Sequence, residues 1–190
     1  MPFRAKVFQE EVVRRVPEDV AQPLVDACHA LESRKTPQQK ARCIQELMTL
    51  FDEHVAAPAR REIMESCGRQ CIGASTLATA RKLSREASDL EDLLHRMNEA
   101  HVGGGRLELD GTTVRVTYER CYCGSVNKLR GEISPTYCQC SCGWLQRLFE
   151  TVLDGPVHAE LLSSVLLGND ACRFAVRAHG VGQHTPASSQ

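Results

Sequence analysis

The sequence lacks a surplus of charge, long apolar runs and the usual catalytic signatures, and each absence removes a class of function. Lys and Arg number 23 against 24 Asp and Glu, a formal net charge of −1. The balance holds in both halves of the chain, so no basic field draws in nucleic acid or an anionic membrane. Apolar stretches run for only a few residues, far short of the 18 or more of a membrane span. The opening Met1-Pro2-Phe3-Arg4-Ala5-Lys6 has no signal-peptide core, and the expectation is a cytoplasmic protein. The histidines at 29, 54, 95, 101, 158, 179 and 184 form no H-x3-H or H-E-x-x-H pair. Gly103-Gly104-Gly105 leads into no Gly-Lys-Ser/Thr phosphate loop and reads as a linker. No serine elbow and no internal repeat occur.

What is present is cysteine, ten in 190 residues. That share is below a disulfide scaffold, and a reducing compartment disfavours structural disulfides. Cys121, Cys123, Cys138, Cys140 and Cys142 cluster, and Cys67 with Cys71 forms a separate pair.

The first hundred residues read as helices joined by short breaks. Thr36-Pro37-Gln38-Gln39 is a capping box with proline at the first helical position, followed by Ile44, Leu47, Met48, Phe51 and Val55 at helical spacing. A helix from near Pro58 carries Ile63 and Met64 into Cys67 and Cys71, and Ser88-Asp89-Leu90-Glu91 reads as another capping box. After the three glycines the period changes to two. Leu107 and Leu109, Asp110-Gly111, then Val114, Val116 and Tyr118 form a hairpin with a two-residue turn. A helix follows at about 136–153, introduced by Ser134-Pro135, and a second hairpin pairs 156–166 with 171–178 around Gly168-Asn169-Asp170. In its last strand Cys172, Phe174 and Val176 share one face. The fold class is α+β, with N-terminal helices packed on a β-β-α-β-β antiparallel sheet. A helical region 1–102 and a sheet region 103–178 form one compact domain, and 179–190 is a flexible tail.

Cys67 and Cys71 lie four apart on a helix and project from one face. Cys138 and Cys142 have the same spacing, with Cys140 pointing elsewhere, and Cys121-Tyr122-Cys123 puts two thiols on one side of a strand end. Cys67, Cys71, Cys121, Cys123, Cys138 and Cys142 are therefore candidate metal ligands, for zinc or for an iron–sulfur cluster. Cys138, in the first turn of its helix, is a candidate thiolate nucleophile, and Glu160 a candidate general base or ligand. Cys28, Cys43 and Cys172 read as small buried hydrophobes.

The run Cys142-Gly143-Trp144-Leu145-Gln146-Arg147-Leu148-Phe149-Glu150, then Gly155-Pro156-Val157, Glu160 and Gly168-Asn169-Asp170-Ala171-Cys172-Arg173-Phe174 resembles the 4-vinyl-reductase type of small-molecule-binding domain. The resemblance covers about residues 120–178. It implies an apolar pocket enclosed by helices and a twisted antiparallel sheet, a metal site involving Cys142 and Cys172, and an acidic strand at Glu160. Ser164 stands where such domains often carry cysteine, so their zinc site does not transfer unchanged. The expected function is a metal-stabilised, sensor-like domain binding a small apolar or aromatic ligand. An alternative is a cysteine- or metal-dependent hydrolase or reductase, and a third reading is an adaptor that forms a homodimer through its N-terminal helices.

Overall fold

The computed structural model describes residues 3–104, 106–127, 129, 133–153 and 155–178. Six helices come first: α1 (Ala5–Arg15), α2 (Glu18–Glu32), α3 (Pro37–His54), α4 (Ala57–Cys71), α5 (Ala74–Glu86) and α6 (Leu90–Glu99). Strands β1 (Leu107–Asp110) and β2 (Thr113–Tyr118) follow, then a 3-10 turn (Pro135–Cys138), α7 (Gln139–Leu153), β3 (Val157–Ser163) and β4 (Cys172–Ala178). The four strands form an antiparallel sheet in the order β1-β2-β4-β3, and the α+β expectation holds. The expected tail at 179–190 lies outside the described residues.

Local signals explain several element ends. The Thr36 side chain accepts from Gln39 N–H while the Gln39 side chain accepts from Thr36 N–H, closing the expected box. The second box is shifted by one: Asp89 is the N-cap, accepting from Asp92 N–H, and the Asp92 carboxylate accepts from Ser88 N–H. The first hairpin is also shifted, because Asp110 pairs with Thr113, so Gly111 and Thr112 make the turn. Gly111, at φ +59°, supplies the left-handed residue such a tight turn needs. Among the described residues no helix is long and apolar enough to cross a membrane.

Two buried clusters form. One gathers Phe8 and Val12 of α1, Leu24 and Leu31 of α2, Leu47 and Phe51 of α3 and Ile63 of α4. The other lies between α6, α7 and the sheet: Leu94, Met97, Leu145, Leu148 and Phe149 against Val116, Phe174 and Val176. Phe174 faces Val116 and Leu161 across its two ladders, and the Cys172, Phe174 and Val176 side chains are all buried as expected. The free edge of β1 is tied to α6 by the Asn98 side-chain amide, which donates to Leu107 C=O (2.8 Å) and accepts from Leu107 N–H (2.7 Å).

Helices α4 and α7 join the clusters and touch backbone to backbone. A Cβ at Gly68 would stand 1.8 Å from the Cys140 carbonyl oxygen, and one at Gly143 would stand 1.8 Å from that of Glu65. Each helix therefore contributes one glycine to the other's surface. Beside this crossing the Arg69 guanidinium holds Glu150 bidentately (2.6 and 2.8 Å) and donates to the Gln146 side chain at 3.0 Å.

Candidate functional site

A cavity of about 450 Å³ opens where the two clusters meet. Its walls come from the start of α1, from α4, from the segment after α6, and from β2 and the loop that follows it. Thr76 of α5, the 3-10 turn, the first two turns of α7, and β4 with the short turn before it complete them. Buried Met64, Tyr118, Tyr137, Leu166 and Phe174 give it an apolar, aromatic interior, while exposed Arg4, His101, Arg120 and Tyr122 stand at its rim.

Seven of the ten cysteines line this one space: Cys67, Cys71, Cys121, Cys123, Cys138, Cys140 and Cys172. Five of the six candidate ligands are thus brought together from three distant segments. Cys142 is not among them; it is fully buried in the sheet-side cluster. The reason is a change of helix type. Cys138 closes the 3-10 turn and α7 begins at Gln139, so the four-residue spacing does not keep Cys138 and Cys142 on one face. Cys140, expected to point elsewhere, lines the cavity instead, as does Cys172, expected to be an ordinary core residue.

Burial favours the protonated form of five of these thiols. Burial pushes Cys138 up to about 12, against a hydrogen bond with Ser164 that acts the other way. Here desolvation outweighs the helix N-terminus that suggested activation. Burial raises Cys121 to about 11, and it raises Cys67, Cys71 and Cys140 as well. Cys138 Sγ lies 3.1 Å from Ser164 Oγ, Cys172 Sγ accepts from Val165 N–H at 3.3 Å, and Cys123 Sγ lies 2.8 Å from Tyr137 Oη. Glu160 is on the outward face of β3, paired with Arg177 at 3.2 Å, and does not line the cavity. Among the described residues no three His, Cys, Asp or Glu side chains are placed to hold a metal ion. As placed, the seven thiols line the cavity wall.

Several lining residues carry no pattern visible in the sequence. Phe3 and Arg4 reach the site only through the packing of α1. Gly103 and Gly104, read as a linker, line it with φ of +85° and +98°, and a Cβ on Gly104 would run into the Tyr118 ring at 2.2 Å. His101 occupies the left-handed position just past α6, at φ +53°. There Val102 N–H bonds back to Met97 C=O and His101 N–H to Asn98 C=O, the Schellman ending in which glycine is usual. Trp144, the chain's single tryptophan, lines the cavity, and its indole N–H is buried with no hydrogen-bond partner among the described residues.

No curated protein matches the chain. Among solved structures, the fold is similar to that of trafficking protein particle complex subunit 3 from Naegleria fowleri, crystallised covalently bound to palmitic acid. The TM-score is 0.49 at 15% identity, covering 75% of this chain and 95% of that one. Neither this likeness nor the family match shows a 4-vinyl-reductase relation. The match that spans nearly the whole chain, residues 2–181, is to the family of unknown function DUF6144, and the protein belongs to that family.

Proposed function

We propose that the protein binds a small, largely apolar molecule in the cavity between α4, α7 and the sheet. The observation that carries this reading is the cavity itself: about 450 Å³, with an interior of Met64, Tyr118, Tyr137, Leu166 and Phe174. Ligand pockets typically measure about 300–1,000 Å³ and are lined by apolar and aromatic groups with a few polar ones. Side chains of this kind would otherwise close on one another as core. A bound ligand stabilises the folded state by about 2.7 kcal/mol at 100 times its Kd. A thermal-shift series of aromatic and aliphatic compounds is expected to give hits that also change the emission of Trp144. A series with no shift in either readout would remove the cavity as a binding site and leave the adaptor reading ahead.

One observation favours a second reading, a thiolate-bound zinc or iron–sulfur centre: seven cysteines share the cavity wall. The side chains would have to rotate to form a ligand set, and the metal would displace their protons. If this reading holds, anaerobically purified protein carries stoichiometric metal, and Cys67→Ser with Cys71→Ser loses it. Cys142→Ser, off the wall, retains it. Metal-free protein whose melting temperature ignores chelator would end this reading.

A further inference from the structure

The charge of the described residues around the cavity is one-sided. Among the described residues that line it, no aspartate or glutamate occurs, whereas Arg4 and Arg120 do, with His101 between the helical half and the sheet. Neither arginine has a carboxylate partner among the described residues. The Arg120 guanidinium rests over the Tyr122 ring, 5.4 Å from its centroid. Elsewhere on the molecule arginines are routinely paired, as Arg69 is with Glu150, Arg115 with Asp110 and Arg173 with Asp170. What sets the two rim arginines apart is their place, at the mouth of a cavity whose described lining carries no acidic side chain.

The remaining donors point to the same ligand. The indole N–H of Trp144 is buried without an acceptor among the described residues, a state that costs free energy until an acceptor arrives. His101 sits at φ +53° where glycine would be unstrained, a local cost that keeps an imidazole at the rim. Interior and rim together ask for an apolar body ending in an acceptor-rich, negatively charged group.

Resting on the small-molecule reading above, we infer that the ligand is an amphiphile with a single anionic head group, its apolar part among Tyr118, Tyr137, Leu166 and Phe174 and its head group between Arg4 and Arg120. Guanidinium groups suit this role because they present several donors in a fixed plane to a carboxylate or phosphate. Both arginines are exposed, so salt should weaken the head-group contribution.

The test uses Trp144 emission and calorimetry with dodecanoate, dodecanol and dodecylamine, below their micellar concentrations. Dodecanoate is expected to bind at least tenfold more tightly than dodecanol, with dodecylamine weakest, and the margin should shrink as salt is raised. The variant Arg4→Gln with Arg120→Gln should keep the wild-type melting temperature and dodecanol affinity while losing the preference for dodecanoate. Equal binding of dodecanoate and dodecanol would overturn the anionic assignment and leave the apolar cavity standing. A preference for dodecanoate that survives both substitutions would overturn the role of the arginines. Failure of all three probes to bind would instead count against the small-molecule reading on which the inference rests.

Discussion

Alanine at Gly143 or at Gly68 is expected to destabilise the protein by at least about 1–3 kcal/mol, the usual range for overpacking, and to leave little folded chain if the crossing cannot relax. The reason is the identity of the obstructing atoms. At both positions the new methyl group would lie 1.8 Å from a carbonyl oxygen of the facing helix, and main-chain atoms cannot rotate aside as a side chain can. The helices would have to separate, and with them Ile63 and Met64 on one side and Leu145 and Phe149 on the other would lose packing. Arg69→Ala, which removes the ion pair to Glu150 beside the same crossing, should cost less because that pair is partly exposed. Thermal and denaturant unfolding of the three variants checks the order. Near-wild-type stability for both glycine variants would mean that α4 and α7 do not meet backbone to backbone.

The second large effect concerns alkaline pH. Burial raises the Cys28, Cys138 and Cys142 thiols to about 12 and Cys121 to about 11, from an ordinary value of 9.0. Cys67, Cys71 and Cys140 move the same way. Below pH 9 these thiols are protonated in both states and stability does not depend on them. Above it the unfolded chain releases protons that the folded chain retains, so the unfolded state binds fewer protons and stability falls as pH rises. Each such thiol contributes a slope approaching about 1.4 kcal/mol per pH unit, within a total stability on the order of 5–15 kcal/mol. Denaturant unfolding under strictly reducing conditions should therefore show stability flat to about pH 9 and falling steeply toward pH 11. Cys142→Ala should reduce that slope. A flat profile across the window would contradict the burial of the thiols.

The sequence made the elements legible where a single local rule governs them. The capping box at Thr36, the helical stripe from Ile44 to Phe51 and the alternation at Cys172, Phe174 and Val176 each depend on neighbours a few residues away, and each took its expected place. The second capping box and the first hairpin turn slipped by one residue because competing residues stand side by side: Ser88 with Asp89, and Asp110 with Gly111. The cavity was only half legible. That cysteines from α4, the loop after β2 and the start of α7 converge follows from their clustering and spacing. Which ones converge depends on the junction of 3-10 turn and α-helix at Cys138, and spacing rules assume one helix type throughout. Arg4, His101 and Arg120 were invisible because their meeting is a product of tertiary packing, with 96 and 18 residues between successive members.

The paired glycines of α4 and α7 also bear on how anything reaches the interior. Two helices in main-chain contact, pinned further by Arg69 and Glu150, form a fixed bulkhead. The rest of the cavity wall is made in part of the start of α1, the bend at His101–Gly104 and the loop at Arg120–Cys123. The Tyr122 hydroxyl, donating to the Gly104 carbonyl at 3.3 Å, latches two of these segments together. On the small-molecule reading proposed above, the α4–α7 face acts as the fixed wall of the cavity and a guest's entry and escape are left to the face that this hydrogen bond spans.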